Sequence, residues 1–176
     1  MKKTKYGFKL LILAFLMCHF PSKAQDQKDN YKLYAGLLYH FTKNIEWPSD
    51  KQQGSFVIGV YGNLELLEAT QNIMKNRVVH GQKIIVKQLS SKDDLSQCHI
   101  VFVERDFSHK FSQIQSQMKA GNILLITEGY NLAKKGASIN FVIKGEKLKF
   151  EMNKSVIDGA GLKVSNDLVR LSILVG

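Results

Sequence analysis

The sequence predicts an α/β protein, a three-layer α/β/α sandwich with a mainly parallel sheet and an antiparallel hairpin near the C-terminus. Three observations carry this. Continuous apolar runs at residues 56–61 (FVIGVY), 99–103 (HIVFV) and 122–127 (NILLIT) mark strands covered on both faces. Amphipathic segments with apolar residues three and four apart alternate with them, as crossover helices do. Residues 138–144 (SINFVIK) and 147–152 (KLKFEM) flank Gly145-Glu146, which is a hairpin signal. The arrangement is Rossmann-like in outline.

The elements follow in order. Lys2, Lys3, Lys5 and Lys9 precede an apolar stretch over residues 10–20, and Pro21-Ser22-Lys23-Ala24 offers small residues at a cleavage site. Residues 1–24 read as a secretory signal peptide, cleaved after Ala24, with an apolar stretch too short to span a bilayer. Acylation of Cys18 is the rival, but Phe15-Leu16-Met17 lacks the small residue wanted before such a cysteine. Residues 25–176 then form a single domain, long enough for a proper core. Half of the net charge of +10 leaves with the five signal lysines. The remainder is a mild basic bias and no nucleic-acid footprint.

Residues 25–30 read as a polar leader. Residues 31–47 read as a helix with Leu37, Leu38, Phe41 and Ile45 on one stripe, ended by Pro48. A polar loop leads to the strand at 56–61. A helix over 64–75 sets Leu66, Leu67, Thr70, Ile73 and Met74 on one side, and a second strand covers 83–89. After the strand at 99–103, Phe107, Phe111, Ile114 and Met118 repeat at helical spacing. A short helix is expected at 130–135. In the second hairpin arm Leu148, Phe150 and Met152 alternate with Lys147, Lys149 and Glu151, so one face is wet. Residues 155–160 and 166–171 close the chain as short helices.

Chemistry is sparse. In this architecture it belongs at the carboxyl ends of the strands, where Gly62, Asn63, Glu104, Asp106, Thr127 and Glu128 fall. Gly59 and Gly62 lack the third glycine of a dinucleotide fingerprint, and Gly62 reads as a turn glycine. Ser138 sits in Gly136-Ala137-Ser138-Ile139-Asn140, but it starts a strand and the final glycine is absent, so it is no nucleophile elbow. His40, His80, His99 and His109 show no metal-ligand spacing, and His40 reads as a core or boundary residue. Cys98 and His99 are neighbours in a strand and face opposite sides. Once Cys18 is removed, Cys98 has no partner, so it reads as a shielded thiol. The acids at the strand ends read as solvated loop carboxylates. No catalytic residue, metal site or cofactor is expected.

Five phrases in order carry a resemblance. YKLYAGLLYHFTKNIEWP, FVIGVYG, VVHGQKIIVKQL, DLSQCHIVFVER and ILLITEGYNLAKKGASINFVIKGEKLKFEMN, closing on AGLKVSNDLVRL, resemble the YfiR family of periplasmic regulators. The resemblance implies a non-catalytic periplasmic protein. It would bind the periplasmic sensor region of an inner-membrane diguanylate cyclase or sensor histidine kinase and repress or modulate it, so cyclic di-GMP and biofilm growth are its expected output. Membrane contact would come only through that partner, a homodimer is possible, and no nucleic acid is involved. Studied members use paired cysteines for redox control, which a chain left with Cys98 cannot copy by an intramolecular disulfide. The expected partner surface is an exposed part of the hairpin with Asn140, Lys147, Lys149 and Glu151, adjoined by Glu128 and Tyr130. The alternative is a periplasmic small-ligand binder using a strand-end crevice at Gly62, Asn63 and Glu128.

Overall fold

A computed structural model describes residues 23–118 and 121–176 of the chain, with side chains from residue 30 onward. The expected signal peptide and Cys18 fall on residues 1–22, outside the described residues. Eight strands form one sheet in the order β10-β8-β7-β6-β5-β2-β4-β3, and a two-stranded ribbon pairs β1 with β9. The strands are β1 Ile45–Glu46, β2 Phe56–Tyr61, β3 Val78–Val79, β4 Gln82–Gln88, β5 Ile100–Val103, β6 Leu124–Glu128, β7 Ile139–Lys144, β8 Lys147–Met152, β9 Lys163–Val164 and β10 Ile173–Leu174. The helices are α1 Lys23–Asn44, α2 Leu64–Met74, α3 Phe111–Gln117, α4 Lys154–Gly159 and α5 Asn166–Leu171.

The central strands β4, β2, β5, β6 and β7 run parallel, as continuous apolar runs demand. β7 and β8 form the expected antiparallel hairpin, in register from Ile139↔Met152 to Lys144↔Lys147. Its two turn residues, Gly145 and Glu146, have φ of 56° and 60°, the left-handed pair of a type I′ turn. The hairpin does not end the sheet: β10 pairs in parallel outside β8. At the opposite margin β3 returns on β4 through His80 and Gly81, with φ of 48° and 80°. This second hairpin was not among the expected elements.

Two cores lie on the two faces of the sheet, giving three layers. The thicker joins α1, α2, α4 and α5 to inward residues of β1 to β8, including Ile58, Phe102, Ile126, Phe141 and Phe150. The thinner joins Phe111 and Ile114 of α3 to Val101, Val103, Leu125 and Cys98. α1 lies across the thick face on one aromatic stripe. Tyr34 stacks on Phe141 at 4.9 Å, and Phe41 meets Phe150 edge-on at 5.3 Å. Each such aromatic pair adds about 0.5–1.5 kcal/mol beyond the area it buries.

Several expectations are corrected. The expected leader at 25–30 is part of α1. That helix stops at Asn44, before Trp47, because Ile45 and Glu46 leave the helical path to pair with Val164 and Lys163. Asn44 binds this junction: its carbonyl accepts from Ser165 N at 2.9 Å and its Oδ1 from Ser165 Oγ at 3.1 Å. Pro48 instead starts a 3-10 turn at Ser49–Lys51. Residues 130–135 are consecutive turns without a helix, since Asn131 takes a φ of 57°. A 3-10 segment, Arg105–Lys110, precedes α3. His40 lies exposed, on the outer side of α1.

Phe141 is buried and touches the rings of Tyr34, Phe41 and Phe102. Phe141→Ala is expected to lower the unfolding free energy by about 3–5 kcal/mol, read from the urea midpoint at unchanged m-value.

Candidate functional site

At the carboxyl ends of β2, β5 and β6 two of the three acids expected to be solvated are buried, while Asp106 is exposed as expected. Glu104 is 3% exposed and Glu128 8%. Glu104 follows β5 and turns back over the sheet end. Its Oε2 accepts from the backbone N–H of Asn63 at 2.8 Å. Its Oε1 accepts from the Tyr31 hydroxyl at 2.5 Å and from Asn63 Nδ2 at 3.2 Å. Asn63 Nδ2 also donates to the Tyr31 oxygen at 2.6 Å, and Asn63 Oδ1 caps α2 by accepting from Leu66 N at 2.9 Å. One carboxylate thus joins three elements: α1 through Tyr31, the β2–α2 turn through Asn63, and β5.

Gly62 belongs to this arrangement for reasons of space. It has no positive φ, and a Cβ there would stand 2.7 Å from Leu66 Cδ2 and 3.0 Å from Glu104 Oε2. Gly62 lies at the bend between β2 and α2, where Leu66 and the Glu104 carboxylate approach it closely.

Glu128 ends β6 on the α1 side of the sheet. Arg105 Nε donates to its Oε1 at 3.0 Å and Nη2 lies 2.9 Å from the same atom. The Tyr34 hydroxyl bonds it as well, and burial first, then the Glu128 charge, push the Tyr34 pKa up. The space left among Asn30, Tyr31, Tyr34, Glu104, Arg105, Asp106 and Glu128 is about 100 Å³. The crevice expected at Gly62, Asn63 and Glu128 is therefore largely filled by the chain's own bonded side chains.

The six residues expected to face a partner divide. Tyr130 is 86% exposed, and Lys147 and Lys149 are exposed. Asn140, Glu151 and Glu128 are buried. Asn140 Oδ1 accepts from Thr127 Oγ1 at 2.8 Å and Gly129 N at 3.1 Å, and its Nδ2 donates to Gly129 O at 2.9 Å and Glu151 Oε2 at 3.1 Å. These bonds fasten the β6–β7 crossover to the hairpin, so the expected exposure of Asn140 and Glu151 is corrected. Alternation along a strand does not reveal such a cover, since Thr127 and Asn140 become neighbours only when β6 and β7 pair.

A second polar cluster lies at the other end of the strands. Buried His99 accepts from Val57 N on Nδ1 at 3.1 Å and reaches Lys51 O from Nε2 at 2.8 Å. Nδ1 is thus unprotonated and Nε2 carries the proton. Its ring stacks on Phe56 at 4.3 Å, and Trp47 Nε1 donates to its carbonyl at 3.3 Å. Ser138 is buried, and its hydroxyl accepts from Leu125 N at 3.2 Å. Cys98 is free and buried, and burial pushes its thiol pKa up. Among the described residues no group of three or more His, Cys, Asp or Glu is placed to hold a metal, and no helix is long and apolar enough to cross a membrane.

The comparisons with known proteins divide between family and fold. The YfiR/HmsC-like family model matches residues 31–173. No curated protein matches the chain. A conserved domain protein from Vibrio cholerae O1 biovar El Tor is similar in structure, with a TM-score of 0.57 at 9% identity over 82% of this chain. The ABC domain in complex with L-Trp from Streptococcus pneumonia gives a TM-score of 0.49 at 9% identity over 69% of this chain. This chain spans 59% and 55% of those two structures, respectively. The first likeness supports the α/β fold alone.

Two predictions follow from the buried groups. Tyr31→Phe and Glu104→Gln are expected to destabilise singly and to show a coupling energy of about 1–3 kcal/mol in a double-mutant cycle by urea unfolding; additive effects would refute the bond. Burial holds the His99 pKa below its ordinary 6.5. A base with a depressed folded pKa contributes its full stability above the unfolded value and loses it as pH falls through the folded one. Stability is therefore expected to decline from about pH 6.5 downward, and His99→Gln to flatten that decline; equal slopes in the two proteins would place its source elsewhere.

Proposed function

We propose a regulatory function for this chain, which belongs to the YfiR/HmsC-like family. It acts in the periplasm without catalysis, binding the periplasmic sensor region of an inner-membrane signalling protein and holding that protein's output down. A diguanylate cyclase is the first candidate for the partner and a sensor histidine kinase the second. The observation that carries this reading is the family match, which covers residues 31–173 and so nearly every described element.

The geometry supports it. At the strand ends, where α/β enzymes place their reacting groups, Glu104 and Glu128 spend their oxygens on Tyr31, Asn63 and Arg105. A carboxylate held this way braces the fold and is poorly placed for proton transfer. Large apolar side chains meanwhile lie at the surface, among them Tyr130, Leu171, Leu174 and Ile143, as contact with another protein requires.

Capture of tagged protein from a cross-linked envelope extract tests the reading. Recovery of an inner-membrane protein with a periplasmic sensor region is expected, together with raised cyclic di-GMP when the gene is deleted. Recovery of no such protein, with tight retention of a small metabolite instead, would overturn it.

A further inference from the structure

The margin of the sheet beside β8 is incompletely covered. β10 pairs only with Glu151 and Met152, while β8 starts at Lys147. A two-residue turn makes Lys144 and Lys147 a hydrogen-bonded pair, and such pairs alternate along an antiparallel ladder. Leu148 and Phe150 therefore turn their main-chain groups away from β7. The bond from Val175 N to Met152 O, at 3.0 Å, shows the same outward phase two residues further on. Before the start of β10, the Leu148 N–H and C=O and the Phe150 N–H point to this margin and form a template for one more strand.

The two faces of that margin differ in chemistry. Register puts Lys144, Lys147 and Lys149 on the thin-core face, all exposed. The acids nearby do not neutralise this row: Glu151 is buried against Asn140, and Glu146 stands on the turn itself. On the other face Leu148 lies beside Ile143, which is 52% exposed. Leu174, on the strand that continues the margin, is also exposed.

We propose that this margin accepts one strand from an acidic segment of a protein partner. Acidic side chains of the incoming strand lie over Lys147 and Lys149, and the alternate apolar ones over Leu148 and Ile143. Main-chain bonds to Leu148 and Phe150 give affinity, and the two faces set which sequence fits. A second copy of this chain is the wrong occupant. β8 against β8 would set Lys147 and Lys149 opposite like charges, which destabilises a strand pair. The lysines thus turn away self-pairing and select an acidic strand. The inference rests on the regulatory reading and names the surface through which that partner is held.

The probe is a fluorescein-labelled nonapeptide alternating Glu and Val, with Lys–Val and Ser–Val counterparts, titrated into the full chain. Only the Glu–Val peptide is expected to bind tightly, and binding is expected to weaken at least about tenfold in K147E/K149E. Bound peptide should slow amide exchange at Leu148 and Phe150. Both lysines are exposed, so the variant retains the core, which unchanged thermal unfolding verifies. Binding without slowed exchange there, or equal binding to the variant, would overturn the proposal. So would absence of peptide binding combined with variant-sensitive binding to phosphatidylglycerol vesicles, which assigns the lysines to a lipid surface. The envelope capture separates the two readings. Equal recovery of the partner by K147E/K149E refutes the margin and leaves the regulator standing, whereas no recovery by the unmodified protein refutes the regulator.

Discussion

The seating of α1 across the thick face of the sheet is the constraint on which the other elements depend. Tyr34, Leu38 and Phe41 lie on one stripe of the helix, and all are buried. Against them stand Phe102, Phe141 and Phe150, from strands β5, β7 and β8. One helix therefore covers the parallel centre and the antiparallel hairpin together. Burying each such side chain contributes about 1.5–3 kcal/mol. Area alone does not fix where a helix sits along its axis, because apolar contact is non-directional. Polar bonds do that: Tyr31 reaches Glu104 partway along the helix, and Asn44 holds Ser165 at its C-terminal end.

These polar bonds account for the carboxylates buried at the strand ends. Glu104 is spaced to meet a hydroxyl from α1, a side-chain amide and a backbone N–H at once. A buried carboxylate is tolerated when its oxygens are satisfied in this way. Arg105 and Tyr34 satisfy Glu128 in parallel. Both acids tie the helix layer to the sheet. A position that enzymes of this architecture use for chemistry holds side chains that fix the layers here.

The fold was legible where one physical signal dominated. β2, the β7–β8 hairpin and α5 fall where apolar runs, turn residues and spacing put them. The missed elements are pairings of two residues each: β1 with β9, β3 with β4, and β10 with β8. A two-residue strand has no period to read, and only its partner in space makes it a strand. The end of α1 was misplaced for the same reason. Ile45 continues the helical stripe in sequence, yet Val164, far along the chain, draws it into a ribbon. The site was less legible still. Burial of Glu104, Glu128 and Asn140 depends on what packs over them, which neither composition nor spacing records.

Glu46-Trp47-Pro48 shows how a phrase can identify a family while its physical role lies in the connections it makes. Glu46 is in the β1–β9 ribbon, facing Lys163. Trp47 packs edge-on against Phe56 at 4.9 Å and donates to the carbonyl of His99. Pro48 starts the 3-10 turn that brings the Lys51 carbonyl to His99 Nε2. His99 in turn accepts from Val57 of β2. Three consecutive residues thus connect the C-terminal ribbon, the first long strand and the entry to β5. Each contact asks for a different chemistry: an extended backbone, an indole with its N–H, and a ring that fixes φ. Trp alone supplies the second and Pro alone the third, so the phrase is constrained in space at each of its positions.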